Sequence, residues 1–541
     1  MTVSAADELI SDRLFDVAER DPTRELVCDQ IHGRVTYARA AEQVERLAYG
    51  LRNLDIGHGD VVIIQLPNWA PFLILHMALT AIGAVTATIP IVYRKHELTG
   101  VIRLTKAKAL VVPRGFHGFD YAAMGESLRE CVPTLEHVIH VGGDIESASD
   151  VSYEALMREP WEARGDQPSL AGLKPTADDI TALGFTSGTT GDLKGAVYDT
   201  RILHATNMGV IERYGFNEGD RIFGCSPIGH AVGFTHALRM TLTIGGSIVL
   251  QERWDPARAL ELLQQEKCTF MAAATPFLMD LVYHSDLERR GSLSSVKLFL
   301  CGGASIPHQL LRDAQTALPY TFTSPLWGMT ECGGVTTCPY DAPREKLFET
   351  DGLPCSSMEL KVVDQDGNEV PRRTDGELMA RGAMVTRGYY GRPDLTEKSF
   401  LEDGWFRTGD QAWMDEDGYI KITGRMKDLI IRGGVNISPA DVESVLFSHP
   451  RVANAAVVGM PDPRLGERSC AFVILSEGDC LDLAEVRDWM AKADVAKPKW
   501  PERIEIVDTF PMTPSGKVQK FRLREMIASQ TAQEANAEAV T

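Results

Sequence analysis

Short apolar runs alternate with longer amphipathic stretches through most of the chain. Residues 61–66 (VVIIQL), 109–113 (ALVVP) and 138–141 (VIHV) are short and apolar throughout, and read as buried strands. Helical periodicity lies between them. Such alternation predicts an α/β fold, with helices layered on mainly parallel sheets. The pattern resumes at 247–250, 270–273 and 297–300, each run followed by a turn and a helix-like segment. From about residue 358 the texture changes. Residues 361–370 (KVVDQDGNEV) read as strand, turn, strand, with Asp366-Gly367 as the turn signal. Runs at 377–380 and 419–423 extend a β-rich subdomain over about 358–424. After a second boundary near 424–428 come a helix (439–448), two strands (455–458 and 471–475), a helix (483–493) and a strand (503–507). These predict a small α+β unit. The expected organisation is an N-terminal domain of residues 1–426 and a C-terminal domain of 427–541. The last stretch, 529–541 (SQTAQEANAEAVT), is small and polar and is expected to be disordered.

One stretch, 71–92 (PFLILHMALTAIGAVTATIPIV), is long enough to suggest a membrane span. His76, Thr80, Gly83, Thr86, Thr88 and Pro90 interrupt it, and no cluster of Lys or Arg precedes it. It reads instead as a buried helix followed by a buried strand. At 541 residues, with 44% hydrophobic and 24% charged positions, the chain can build a large core. Its net charge of −20 argues against non-specific nucleic-acid binding. Ten cysteines show neither a C-x-x-C pair nor zinc-ligand spacing, so they read as reduced thiols. With a polar, acidic N-terminus that is no signal peptide, they predict a cytoplasmic protein.

The segment 185–197 (FTSGTTGDLKGAV) carries the first chemistry. Gly188, Gly191 and Gly195 permit tight turns that aim backbone N–H groups at an anion. Thr186, Ser187, Thr189 and Thr190 add hydroxyls, and Lys194 adds a charge. Together they suit a polyphosphate. This is not a Walker A loop, because the Gly-x-x-x-x-Gly-Lys-Ser/Thr order is absent. By composition alone such a loop is as readily a surface turn. Its order, however, resembles the TSGTTGxPKG signature of the adenylate-forming superfamily. That superfamily includes acyl-CoA synthetases, firefly luciferase-like enzymes and non-ribosomal peptide synthetase adenylation domains. Leu193 stands where the family usually has proline.

Further stations of the family follow in order. Residues 225–233 (CSPIGHAVG) resemble its P-x-x-H-x-x-G segment, which implies His230 beside the acyl carboxylate. Residues 300–304 (LCGGA) resemble the turn under the adenine, with Gly302, Gly303 and Ala304. WGMTE at 327–331 resembles the family's Y-G-M-T-E. It implies Trp327 as an adenine platform, with Gly328, Met329 and Thr330 in the site and Glu331 as a ligand of Mg²⁺. Asp410, in WFRTGD, is implied to hold the ribose hydroxyls. In GRMKD, Arg425 is implied to contact ribose or phosphate, and Lys427 to be the hinge of a mobile C-terminal domain. Gly433 and Gly434 resemble the loop lining a pantetheine tunnel. Residues 511–520 (PMTPSGKVQK) resemble P-x-T-x-x-G-K and imply Lys517 as the catalytic lysine that bridges carboxylate and α-phosphate.

The resemblance covers nearly the whole chain and implies a two-step reaction: acid and ATP give acyl-AMP, and a thiol, that of CoA, then takes the acyl group. His230 and Thr330 join Lys517 as expected catalytic residues. The expected acyl pocket holds Ile228, His230, Val232, Phe234, Phe277, Gly302, Met329, Gly333 and Val335. Gly229, Gly233, Gly333 and Gly334 are expected to leave space in it. His230 is the one basic residue in these segments, so a bulky uncharged acid is expected. Region 65–120 looks most like cyclohexanecarboxylate- and medium-chain acyl-CoA ligases. Two alternatives stand beside this reading. One is an adenylating enzyme that hands its acyl-AMP to a carrier-protein pantetheine or a separate partner. The other is a non-catalytic AMP-binding protein, which the intact Lys517, Asp410, Glu331 and loop oppose. A homodimer is left open.

Overall fold

The computed structural model describes residues 5–143, 151–164, 168–187, 193–287, 293–304, 306–433, 435–476, 480–513 and 517–540. Two large sheets dominate. One has seven strands, in the spatial order Leu193–Asp199, Ile180–Ser187, Val85–Thr88, Val61–Ile64, Ala109–Pro113, His137–Val141 and Val151–Ser152. All its pairs are parallel except the first, where Leu193–Asp199 folds back antiparallel on Ile180–Ser187. The second has nine strands. Its centre is a parallel run through Phe322–Met329, Leu298–Gly302, Phe270–Ala273, Arg221–Gly224, Ser247–Leu250 and Glu25–Asp29.

Helices lie between most of the parallel strands, and such sheets need apolar residues on both faces. Val61–Ile64 and Ala109–Pro113 are buried at every position. A shared core joins the inner faces of the two sheets through the helices Ile10–Arg20, Tyr37–Asn53, Ala70–Ala81 and Thr200–Tyr214. Further apolar clusters cover the outer faces. The helix Ala70–Ala81 is buried all round, as its predominantly apolar sequence requires. Its polar interruptions are satisfied inside the fold. The Thr80 hydroxyl donates to the His76 carbonyl, and His76 Nδ1 pairs with Thr86 Oγ1 at 2.9 Å. Among the described residues no helix is long and apolar enough to cross a membrane.

A four-stranded antiparallel sheet follows, Met358–Val363, Gly376–Gly382, Phe406–Met414 and Ile420–Arg425. Beyond a single turn at Met426–Asp428, a five-stranded sheet with the helices Pro439–Phe447 and Leu483–Lys492 carries its own apolar core. The expected disordered tail is corrected: the backbone is helical over Lys520–Val540. Ala, Glu and Gln dominate that tail and are strong helix formers, so low hydrophobicity did not prevent a helix.

Candidate active site at the end of the parallel sheets

Strand Ile180–Ser187 delivers Thr186 and Ser187 to the carboxyl end of the seven-stranded sheet, and the chain returns as Leu193–Asp199. Gly188, Thr189, Thr190 and Gly191 lie outside the described residues. The return strand carries Lys194, whose ammonium lies 5.1 Å from the centre of the Tyr389 ring. The two strands flanking the glycine-rich segment pair antiparallel, with Thr186 opposite Lys194 and Ser187 opposite Leu193.

WGMTE occupies the end of strand Phe322–Met329 and the turn after it. Glu331 is buried, and its Oε1 accepts from the Tyr389 hydroxyl at 2.9 Å. The Glu331 carbonyl accepts from Thr386 N at 2.9 Å, and the Thr330 carbonyl from the Tyr198 hydroxyl at 2.6 Å. Behind Thr330, Gly184 leaves room that a Cβ would fill, 2.8 Å from the Tyr198 ring. Tyr198 and Tyr389 were not foreseen: nothing in their sequence neighbourhood marks them, and only the fold brings them to Thr330 and Glu331.

Trp327 donates its indole N–H to Asp410 Oδ2 at 2.8 Å. It thus positions Asp410, beyond the platform role expected of it. Arg425 Nε is 2.6 Å from Asp410 Oδ1, yet Oδ1 is buried with no hydrogen bond from a described residue. The pair is close in charge but misaligned for a bond. Asp410 is thus held by the Trp327 indole at one oxygen and paired in charge with Arg425 at the other.

Lys517 arrives from the far end of the chain. Its backbone exchanges hydrogen bonds with Thr513, whose Oγ1 accepts from Lys517 N at 2.9 Å and whose N–H donates to the Lys517 carbonyl at 2.7 Å. Its Cε lies 3.8 Å from where a Cβ on Gly303 would stand, so the lysine stem packs beside that turn. Gly303 has φ +86°, which a side chain would strain. Desolvation, then repulsion from Arg425, pulls the Lys517 ammonium down to about 8, against the opposing pull of Asp410 and Glu331. His230 feels the same cluster. Burial, with a smaller contribution from Lys517, lowers it to about 3, so it is neutral. Lys427, in the connecting turn, is also lowered, chiefly by burial and then by Arg425. Ala304 lies beside Gly303 at the same strand end and is partly buried.

The expected acyl residues are brought to the space between the sheets unevenly. Ile228 and Phe234 are buried in the shared core. Phe277 belongs to an outer cluster, its ring 4.6 Å from Trp254, and Val335 packs with Trp327, Cys332 and Cys355. Val232 and Met329 are partly exposed. The expected free space at the glycines is corrected. A Cβ on Gly229 would stand 2.3 Å from the Ile89 carbonyl oxygen, and on Gly233, 2.3 Å from that of Pro227. On Gly302 it would stand 2.3 Å from the Leu326 carbonyl oxygen, on Gly333, 2.7 Å from Thr206 Oγ1, and on Gly334, 2.7 Å from His236 Nε2. Protein atoms already fill these places. Gly328 is closest packed, 2.0 Å from the Gly333 oxygen by the same measure. Gly433, at a hairpin turn with φ +56°, is exposed and bonds Leu465; Gly434 lies outside the described residues. A cavity of about 790 Å³ at the same edge of the seven-stranded sheet, between Trp69, Phe116 and His140, shares no residue with the expected site.

Residues 14–390 match the AMP-binding enzyme family, and residues 441–517 its C-terminal domain. The medium-chain fatty-acid–CoA ligase of Escherichia coli (strain K12) is 35% identical over 531 residues, 98% of this chain and 92% of that protein. The 2,3-dihydroxybenzoate-AMP ligase of Bacillus subtilis (strain 168) is 32% identical over 528 residues, 97% and 94% of the two chains. ATP-bound MatB from Rhodopseudomonas palustris superimposes with a TM-score of 0.85 at 28% identity, over 96% of this chain and 99% of that one. The apo form of MatB gives 0.75. On its family matches, its relatives and its fold, the chain belongs to the AMP-binding enzymes.

Proposed function

We propose that this enzyme activates a carboxylic acid with ATP as acyl-AMP and pyrophosphate, and then passes the acyl group to CoA, releasing AMP. One observation carries the reading: a lysine from the C-terminal unit stands at the strand ends with Asp410, Glu331, Arg425 and His230 as its charged or titratable neighbours. In the first step the carboxylate oxygen attacks the α-phosphorus and pyrophosphate leaves. Both reactants are anionic, so an ammonium between them holds them together and offsets the developing charge. Lys517 fills that role. Neutral His230 borders the acyl carboxylate, and Thr330 hydrogen-bonds it. Asp410 takes the ribose, and the glycine-rich segment with Lys194 takes the β- and γ-phosphates. Glu331 offers a buried carboxylate with one oxygen fixed by Tyr389, a hard donor suited to Mg²⁺, which supplies charge neutralisation of the triphosphate when bound.

For the second step the C-terminal unit turns at Lys427, so that Lys517 leaves and Gly433–Gly434 lines a path for the pantetheine thiol. The exposed position of Gly433 and the closer likeness to ATP-bound than to apo MatB support the adenylation arrangement here. A medium-chain, alicyclic or aromatic acid suits the apolar lining. Ten free cysteines suit a reducing, cytoplasmic location. Acid-dependent pyrophosphate exchange across a broad acid panel tests the first step, and adding CoA tests the second. Lys517→Ala is expected to abolish exchange while sparing thioester formation from pre-made acyl-AMP. Equal loss of both steps would refute domain alternation. A second reading is an enzyme that hands its acyl-AMP to a carrier protein or separate partner; a relative is named for formation of the adenylate alone. Release of acyl-AMP unaffected by CoA would support it.

A further inference from the structure

Residues 386–390 cross from one half of the expected phosphate site to the other. At one end they hold the turn of WGMTE. Thr386 N donates to the Glu331 carbonyl at 2.9 Å, and the Tyr389 hydroxyl donates to Glu331 Oε1 at 2.9 Å. At the other end they run along the strand that returns from the glycine-rich segment. Tyr390 N donates to the Gly195 carbonyl at 2.8 Å, and Val197 N donates to the Gly388 carbonyl at 3.1 Å. Tyr389 itself pairs with Ala196 in an antiparallel bridge. The same strand carries Lys194, whose ammonium lies over the Tyr389 ring. One side chain therefore meets the carboxylate through its hydroxyl and the ammonium through its face.

The ring is held in turn. Tyr389 N donates to Thr396 Oγ1 at 3.0 Å, and the Phe400 ring packs edge-on 5.5 Å away. Tyr389 is buried, and burial, then the Glu331 charge, pushes its phenol well above the ordinary range. The hydroxyl thus stays a donor. A hydrogen bond to a carboxylate is strong and directional, so it fixes one oxygen of Glu331 and with it the direction of the other. An ammonium over an aromatic face is held by the ring quadrupole, more firmly where water is excluded.

Resting on the adenylation reading above, we propose that Tyr389 is a positioning residue for the metal and triphosphate. Its hydroxyl orients Glu331 and its ring orients Lys194, so one rigid side chain sets the metal ligand and the phosphate-binding lysine together. The two contacts are separable. Tyr389→Phe keeps the face and removes the hydroxyl, and Tyr389→Leu removes both.

Binding without turnover tests this, with α,β-methylene-ATP as the nucleotide and Mn²⁺ as the metal. Electron paramagnetic resonance of free Mn²⁺ gives the metal Kd at saturating nucleotide, and calorimetry in EDTA gives the metal-free nucleotide Kd. In Tyr389→Phe the Mn²⁺ Kd is expected to rise about tenfold or more, as for a lost bond to a charged group, with the metal-free Kd nearly unchanged. In Tyr389→Leu the metal-free Kd is expected to rise as well, by about threefold or more, because Lys194 loses its ring. The KM for the acid should stay nearly unchanged in both. A tyrosine that only packs would weaken metal-dependent and metal-free binding alike. That result in Tyr389→Phe, or an unchanged Mn²⁺ Kd there, would overturn the proposal; an unchanged metal-free Kd in Tyr389→Leu would overturn the role of the ring. The expected binding pattern without acid-dependent pyrophosphate exchange counts against adenylation, not against Tyr389. Thermal melts identify a variant that has merely unfolded, and Tyr389→Met then replaces Tyr389→Leu.

Discussion

Lys517 is the residue whose behaviour is most sharply set by its surroundings. Its ammonium is held near 8 by desolvation and by Arg425. On the proposed role the protonated form acts, so kcat/KM for pyrophosphate exchange should be level below about pH 8 and fall above it. An exchange profile level to pH 10 would contradict the assignment. Asp410 gives a second test. Its Oδ2 is held by the Trp327 indole at 2.8 Å. Trp327→Phe keeps an aromatic surface but leaves a buried carboxylate oxygen unpaired, at a cost of about 1.5–3 kcal/mol for a bond to a charged group. The KM for ATP should rise about tenfold or more, with the KM for the acid nearly unchanged. An unchanged KM for ATP would show that the indole nitrogen does not position Asp410.

At the scale of elements, the site depends on how closely strands approach at their carboxyl ends. Gly302 ends the strand Leu298–Gly302 with the Leu326 carbonyl against its α-carbon, where an added Cβ would stand 2.3 Å away. Gly302→Ala must part that strand from Phe322–Met329 and displace both Gly303 and Trp327. ATP binding by calorimetry should be lost while far-UV circular dichroism stays native. The buried helix Ala70–Ala81 fills the space between the sheets, and Leu75 is fully buried in it. Leu75→Ala should destabilise the fold by about 2–5 kcal/mol in denaturant titration. Much of this level was legible beforehand. Continuous apolar runs marked the parallel strands, and the polar interruptions at His76, Thr80 and Thr86 marked a buried helix and strand instead of a membrane span. In the tail, the helix propensity of Ala, Glu and Gln outweighs low hydrophobicity.

At the scale of the whole molecule, the question is how firmly the C-terminal unit is held over the site. Asp428, in the connecting turn, pairs with Arg524 of the final helix at 2.6 Å. Both side chains are partly exposed, so the pair contributes at most about 1 kcal/mol. If the pair helps to hold the adenylation arrangement, Asp428→Asn should slow pyrophosphate exchange by no more than about fivefold and leave thioester formation from acyl-AMP unchanged. A larger loss, or loss in both steps, would assign Asp428 another role.

What the sequence determined by itself was the alternation that makes parallel sheets, and the order of the family's motifs from Thr186 to Lys517. Both are local properties: a strand is apolar because both its faces are covered, and a motif is a spacing along the chain. What only the tertiary structure decided were the partners across long sequence separations. Tyr198 meets Thr330, Tyr389 meets Glu331, Trp327 meets Asp410, and Lys517 reaches Gly303. It also decided that the pocket glycines are filled by neighbouring backbone and by the His236 ring. No periodicity encodes such contacts, because close packing assigns each glycine's empty space to whichever distant atom the fold brings there.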